Sequence, residues 1–188
     1  MRYPFMKKIL AVCALAFAAT ACAADDLLVV GSVAPDWTLP GSDGSEHSLS
    51  DLRQDGAVVL AWFPKADTAG CTQECKSLTE NGDKIRQFKV SYFMASVDSI
   101  EDNTAFAQKY SADFPILSDE TKAVADAYKV LTAFGFARRH TFYIGTDGRI
   151  LAVDREVNIE TAAEDIVAML EQLGVEKHGA AGASAAGR

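Results

Sequence analysis

The sequence predicts an α/β domain built on a mixed sheet, and three stretches carry that expectation. Residues 57–63 read Ala-Val-Val-Leu-Ala-Trp-Phe, an unbroken apolar run of the kind a strand shows when both of its faces are buried. Strand and helix signals then alternate through the middle of the chain, the pattern that lays helices against a sheet. Near the end, Thr146-Asp147-Gly148 separates two apolar runs, an Asp-Gly signal for an antiparallel hairpin.

After the strand at 57–63 comes a polar stretch, 72–87, that follows a glycine and is punctuated by Leu78 and Ile85, with Phe88 just beyond; it predicts a helix. Residues 91–97 predict the next buried strand. Residues 103–110 predict a short helix with Phe106 and Tyr110 four apart on one face. Pro115-Ile116-Leu117 predicts a brief strand entry and 120–128 another helix. Strands at 141–144 and 149–153 flank the Asp-Gly turn. Residues 159–173 close the domain as an amphipathic helix, with Ile166, Met169, Leu170 and Leu173 along one stripe. This order fits a thioredoxin-like mixed sheet flanked by helices, with an extra N-terminal segment. Periodicity alone also admits a small flavodoxin-like fold, and the antiparallel hairpin favours the former.

A chain of 188 residues, 49% apolar and 23% charged, is one domain's worth of material with ample means to bury a core. Its net charge of −8 and lack of a basic block argue against nucleic acid as a partner. Residues 1–23 predict a signal peptide: Met6-Lys7-Lys8 is a positive start, residues 9–19 are apolar, and Ala21-Cys22-Ala23 is a small-x-small cleavage pattern ahead of Asp25-Asp26. The apolar run is about a dozen residues, short of the roughly 20 that cross a bilayer, so no membrane span is expected. The expected location is periplasmic or secreted. Ala19-Thr20-Ala21-Cys22 loosely resembles a lipobox, which leaves a lipid anchor through Cys22 as the alternative. Cleavage would remove three basic residues, taking the charge to −11, and would take Cys13 and Cys22 with it. Cys71 and Cys75 would then stand alone. A bridge closing so short a loop removes little chain entropy, so the pair points to chemistry more than to a staple. Residues 178–188 are small and aperiodic and predict a disordered tail, which leaves 27–175 as the folded domain.

The segment Phe63-Pro64-Lys65-Ala66-Asp67-Thr68-Ala69-Gly70-Cys71-Thr72-Gln73-Glu74-Cys75 leaves the buried strand and turns into the helix. Cys71 falls in the first helical turn, where unpaired N–H groups and the positive end of the dipole favour thiolate over thiol. The thiolate is the nucleophilic form. Gly70 lets the backbone come close, so that those N–H groups can face a substrate oxygen. Thr68 carries a hydroxyl able to donate or accept three residues before the sulfur. Cys75 lies four residues on, about 6 Å along a helix and on the same face. That is within the usual Cα separation of a disulfide, about 4.4–6.8 Å. Closing the bond would still demand local unwinding of the first turn.

Pro64, Thr68 and Cys71, read as Pro-x-x-x-Thr-x-x-Cys, resemble the peroxiredoxin active-site signature. The run Phe-Pro-Lys-Ala-Asp-Thr-Ala-Gly-Cys-Thr is similar to the bacterioferritin comigratory protein, or Q-type, branch. Residues 31–39, with Ala34-Pro35-Asp36-Trp37, resemble the Gly-x-x-Ala-Pro-Asp-Phe-x-Leu opening of that superfamily, and Arg139-His140-Thr141-Phe142 resembles its Arg-x-Ser/Thr-Phe strand. The resemblance spans residues 28–173. It implies a thioredoxin-like fold with the N-terminal peroxiredoxin extension, and thiol-dependent reduction of hydrogen peroxide and small organic hydroperoxides with no metal or flavin. Cys71 would be the peroxidatic nucleophile, passing through a sulfenic acid. Thr68 would bind and orient the peroxide, Arg139 would stabilise the thiolate and the departing oxygen, and Pro64 would shield the site. Phe63 and Gly70 would wall the substrate. Cys75 would be the resolving cysteine and a monomer the working form; the expected export, rather than the resemblance, points to an exported thioredoxin-like protein as reductant. Two departures stand out: relatives with a resolving cysteine in this helix place it one residue further on, and Ala69 occupies a position where the family commonly has proline.

Arg138 adjoins Arg139, and the spacing to Thr141 and Phe142 favours Arg139. His140 is expected on the other side of its strand from Arg139, as a structural or surface residue. Lys65, Asp67 and Glu74 are explained as well by a solvated loop, and Glu74 by charge complementarity at a helix start. The alternative function is an exported copper-binding chaperone of the Sco type using Cys71, Cys75 and His140, a donor set suited to copper. A thiol-disulfide reductase fits less well, because the spacing is Cys-x-x-x-Cys and no proline follows Pro115.

Overall fold

The computed structural model describes residues 27–179. The predicted signal peptide, with Cys13 and Cys22, and residues 180–188 of the predicted tail lie outside them. The chain remains tied down to the end of the described part, since the His178 N–H donates to the Gln87 carbonyl at 2.8 Å.

Three small elements come first. Strand β1 (Thr38–Pro40) pairs antiparallel with β2 (Glu46–Ser48), and the four-residue helix α1 (Leu49–Leu52) follows at once. Ser48 caps α1 by accepting from the Asp51 N–H. None of the three was expected, because three-residue strands leave no period to read. The elements that follow match the predicted order: β3 (Ala57–Trp62), α2 (Ala69–Ile85), β4 (Val90–Ser96), α3 (Ile100–Tyr110), β5 (Ile116–Ser118), α4 (Ala123–Ala127), β6 (His140–Ile144), β7 (Ile150–Asp154) and α5 (Ala162–Gln172).

Their boundaries differ for physical reasons. Helix α2 begins at Ala69, three residues ahead of the expected 72, because Thr68 in extended conformation starts the turn. Helix α4 begins only at Ala123, since Lys122 is left-handed at φ 64 and cannot continue a helix from 120. Ser111, also left-handed, stops α3.

Five strands form one sheet in the order β5-β4-β3-β6-β7. β3 pairs parallel with β4 and antiparallel with β6, while β4–β5 is parallel and β6–β7 antiparallel. With helices on the sheet and the hairpin at its far edge, this is the thioredoxin-like arrangement. The apolar run of β3 sits at the centre, buried at every position, and its alternation divides the core in two. Val59 and Ala61 face α2 and α5 in a cluster with Cys71, Cys75, Tyr143, Ile166 and Leu170, whereas Val58, Leu60 and Trp62 face the other way with Phe142 and Ile144. The N-terminal segment guards both sheet edges: Gly31 and Ala34 bond to Ile150 and Gly148 beside β7, and Ser42 bonds to Ile116 on β5. Among the described residues no helix is long and apolar enough to cross a membrane.

Candidate active site

The site forms where β3 ends. The chain leaves Trp62, crosses Phe63 and Pro64, and re-enters helix at Ala69. The first intrahelical bond runs from the Thr72 N–H to the Thr68 carbonyl at 2.9 Å, so the N–H groups of residues 69–71 have no partner within the helix. Thr68 does not cap them. Its hydroxyl instead donates to the Lys65 carbonyl at 3.0 Å. That leaves the N-terminus of α2 as an anion-attracting end, with Cys71 in its first turn and only 1% exposed.

Arg139 arrives from the start of β6. Its Nη2 donates to Cys71 Sγ at 3.2 Å, and its Nη1 donates to the Glu74 carboxylate. The guanidinium thus presents a hydrogen-bond donor and a positive charge directly to the sulfur. Arg138 is exposed, so the guanidinium at the cysteine belongs to Arg139 alone of the two.

Glu74 overturns an expectation. It is neither solvated nor merely complementary to the helix end, since it is 1% exposed and ion-paired with Arg139. It lies on the buried stripe of α2, with Cys71, Cys75 and Leu78. A carboxylate on an apolar helix face requires a partner, and that spacing was the signal available in the sequence. The loop charges are engaged as well. Asp67, left-handed at φ 59, accepts from Lys109 Nζ at 2.7 and 2.8 Å and from the Tyr110 hydroxyl at 2.7 Å. Those donors hold its carboxyl below the ordinary range. Lys65 pairs with Asp98 at 3.1 Å, which pushes its ammonium up.

The remaining predicted residues divide. Pro64 is half-buried at the mouth of the loop. Phe63 has no exposed surface and packs near Phe106, with centroids 5.8 Å apart, so it is core rather than a substrate wall. Beside Gly70, a methyl would meet Arg139 Nη2 at 3.5 Å and Ile159 Cδ1 at 3.7 Å. The glycine therefore borders the arginine closely, but ordinary van der Waals space is left. Cys75 is fully buried one turn below Cys71, and both are free thiols in an unbroken helix. Burial pushes the Cys75 thiol up to about 11.

His140 is not part of this constellation. Its ring sits 6.4 Å from that of Phe142, on the sheet face opposite the two cysteines. Burial first, then the cations of Arg155 and Arg138, push it below its ordinary value. The Cys71, Cys75 and His140 copper set is therefore not assembled, and no group of three potential ligands for a metal occurs among the described residues.

The chain is similar to known proteins over most of the described residues. The AhpC/TSA family model matches residues 30–153. A putative peroxiredoxin bcp of Coxiella burnetii is 34% identical over 148 residues, covering 75% of this chain and 97% of that protein. Peroxiredoxin Bcp of Escherichia coli is 33% identical over 130 residues, or 65% of this chain and 83% of its own. Among solved structures, peroxidoxin BcpB of Mycobacterium tuberculosis superimposes with a TM-score of 0.71 at 30% identity, covering 77% of this chain and 97% of that one.

Proposed function

Because this chain belongs to the AhpC/TSA family, as a thiol peroxidase of its bacterioferritin comigratory protein or peroxiredoxin Q branch, we propose that Cys71 is the atom that attacks the peroxide. The Cys71 thiolate attacks one oxygen of ROOH, an S–O bond forms, the O–O bond breaks, and the electron pair leaves on RO⁻. That oxygen takes up a proton to become an alcohol, or water when the substrate is hydrogen peroxide. Cys71 is left as a sulfenic acid. Arg139 steadies the sulfur before attack and the departing oxygen during it. The Thr68 hydroxyl, its proton committed to the Lys65 carbonyl, keeps lone pairs free to accept from the peroxide O–H. Pro64 covers the loop side of the site. The observation that carries this reading is the Arg139 contact with Cys71 at the N-terminus of α2.

In the second step Cys75 attacks the Cys71 sulfenic sulfur, water leaves, and a disulfide forms. A dithiol reductant then returns both thiols by exchange. Hydrogen peroxide and small organic hydroperoxides are the substrates, and the monomer is the working form. After one equivalent of hydrogen peroxide, Cys71 should resist alkylation and the intact mass should fall by two hydrogens, with peptide mapping locating a Cys71–Cys75 bond. An alkylatable Cys71 would refute the assignment, and a sulfenic or sulfinic adduct without the bond would remove Cys75 from it.

We also infer that residues 1–23 direct export, so that the reductant is an exported thioredoxin-like protein. The motive is the basic, apolar and small-residue succession in that segment. Cell fractionation with N-terminal sequencing should find a processed chain outside the cytoplasm. A full-length cytoplasmic product would defeat the inference, and a lipidated Cys22 would replace cleavage with anchoring.

A further inference from the structure

The loop that carries Thr68 is held from behind by a residue that never touches Cys71. We propose that Asp98 is a positioning residue for peroxide reduction, fixing the Thr68 hydroxyl through the backbone of Lys65 and Ala66. Asp98 lies two residues past the end of β4 and its side chain is 8% exposed. Its Oδ2 accepts from the Ala66 N–H at 2.8 Å and from the Ser96 hydroxyl at 3.0 Å, and its Oδ1 accepts from Lys65 Nζ at 3.1 Å. The peptide that ends in the Ala66 N–H begins with the Lys65 carbonyl, which receives the Thr68 hydroxyl. One planar unit thus links the Asp98 carboxylate to Thr68 with no rotatable bond between its N–H and its carbonyl.

The far side of Asp98 is anchored in the core. Ser96 is fully buried, and its oxygen, whose one proton goes to Asp98, accepts from Asn103 Nδ2 of α3 at 3.1 Å; that nitrogen also lies 3.1 Å from the Leu117 carbonyl and 2.8 Å from the Ser118 hydroxyl on β5. A satisfied buried polar network of this kind is rigid. It therefore transmits the fixed position of three core elements to the active loop. At the other end of the loop, Asp67 is held in its left-handed conformation by Lys109 and Tyr110, so the loop is braced at two points along α3. An αL backbone at a non-glycine residue persists only where its surroundings over-determine it, and here they do.

The inference rests on the proposed role of Thr68, and its test separates the two. The bimolecular rate of Cys71 oxidation by hydrogen peroxide is measured beside the rate of Cys71 alkylation by iodoacetamide, which does not need a peroxide oriented by Thr68. Asp98→Ala should lower the peroxide rate roughly 10- to 100-fold while the alkylation rate holds, since small displacements of an orienting group cost that much. Asp98→Asn keeps an acceptor for the Ala66 N–H and should restore most of the rate. Added to Thr68→Val, Asp98→Ala should change nothing more, because both act through one hydroxyl. If Asp98→Ala does not yield folded protein, Asp98→Ser, whose hydroxyl stops short of the loop, takes its place. Equal losses in alkylation and peroxide rate, no rescue by Asp98→Asn, or additivity with Thr68→Val would each overturn the proposal. A Thr68→Val protein at the full peroxide rate would overturn the role of Thr68 itself, and this inference with it.

Discussion

Arg139→Ala is expected to lower the peroxide rate about 10²- to 10³-fold, the loss that follows removal of one preorganised donor to developing negative charge. The same change should destabilise the reduced protein by about 3 kcal/mol, because it strands the Glu74 carboxylate. Glu74 is 1% exposed and ion-paired with a guanidinium that keeps 19% of its side-chain surface in water. That residual exposure places the stability loss at the lower end of the range for breaking buried pairs. The double change Arg139→Met with Glu74→Met fills the space with apolar groups and leaves no unpaired charge. It should recover most of the stability, as read by urea denaturation, and none of the peroxide rate, as read by rapid mixing. The two readouts therefore come apart only if Arg139 acts on the sulfur as well as on Glu74. Recovery of both together would reduce the arginine to a structural counter-ion.

The same residue marks the limit of what the sequence discloses. Cys71, Thr68 and Arg139 each sit in a local pattern that could be read from the sequence, and Arg139 Nη2 donates to Cys71 Sγ. Glu74 was misread because its partner lies 65 positions away, just before β6, and nothing local to α2 names it. Yet positions 71, 74, 75, 78, 82 and 85 are all buried on one face of α2, and helical spacing alone would have put Glu74 on that stripe. A charge on an apolar stripe is a request for a partner. The sheet was legible for a simpler reason, since β3 and β4 are apolar runs whose burial needs no information beyond themselves. The hairpin β1–β2 and helix α1 were missed because their stabilisation comes from docking Leu39 and Leu49 into the core beside Phe93, which is tertiary rather than periodic. Of the first three elements, only the Ser48-to-Asp51 capping spacing could have been read locally. Asp98 was invisible in the same way as Glu74: its carboxylate matters through the Ala66 N–H, 32 positions away.

Formation of the Cys71–Cys75 disulfide should accelerate about tenfold per pH unit between roughly pH 7 and 10, a rise near 10³ overall, because the attacking species is the Cys75 thiolate. The sign follows from burial. Cys75 is fully enclosed in the core, and desolvation of its charged form lifts the thiol to about 11, with Thr79 opposing and Asp113 assisting. The folded helix therefore favours the protonated thiol. That contribution to stability is complete below the ordinary thiol range and is lost as pH rises toward about 11. Deprotonation and unwinding of the first turn of α2 are coupled, and each favours the other. It follows that the slope is the same whether the thiolate attacks within the helix or from a briefly unwound turn, as long as the closed helix is the ground state of the sulfenic form. Only a sulfenic form that already lies open would release Cys75 to titrate near about 8.5 and level off there. Acid quenching at intervals after one equivalent of peroxide, with the loss of two hydrogens followed by mass across a pH series, distinguishes the two. A plateau near 8.5 would show that oxidation itself opens α2, and the absence of the bond at every pH would leave Cys75 a core residue with no part in turnover.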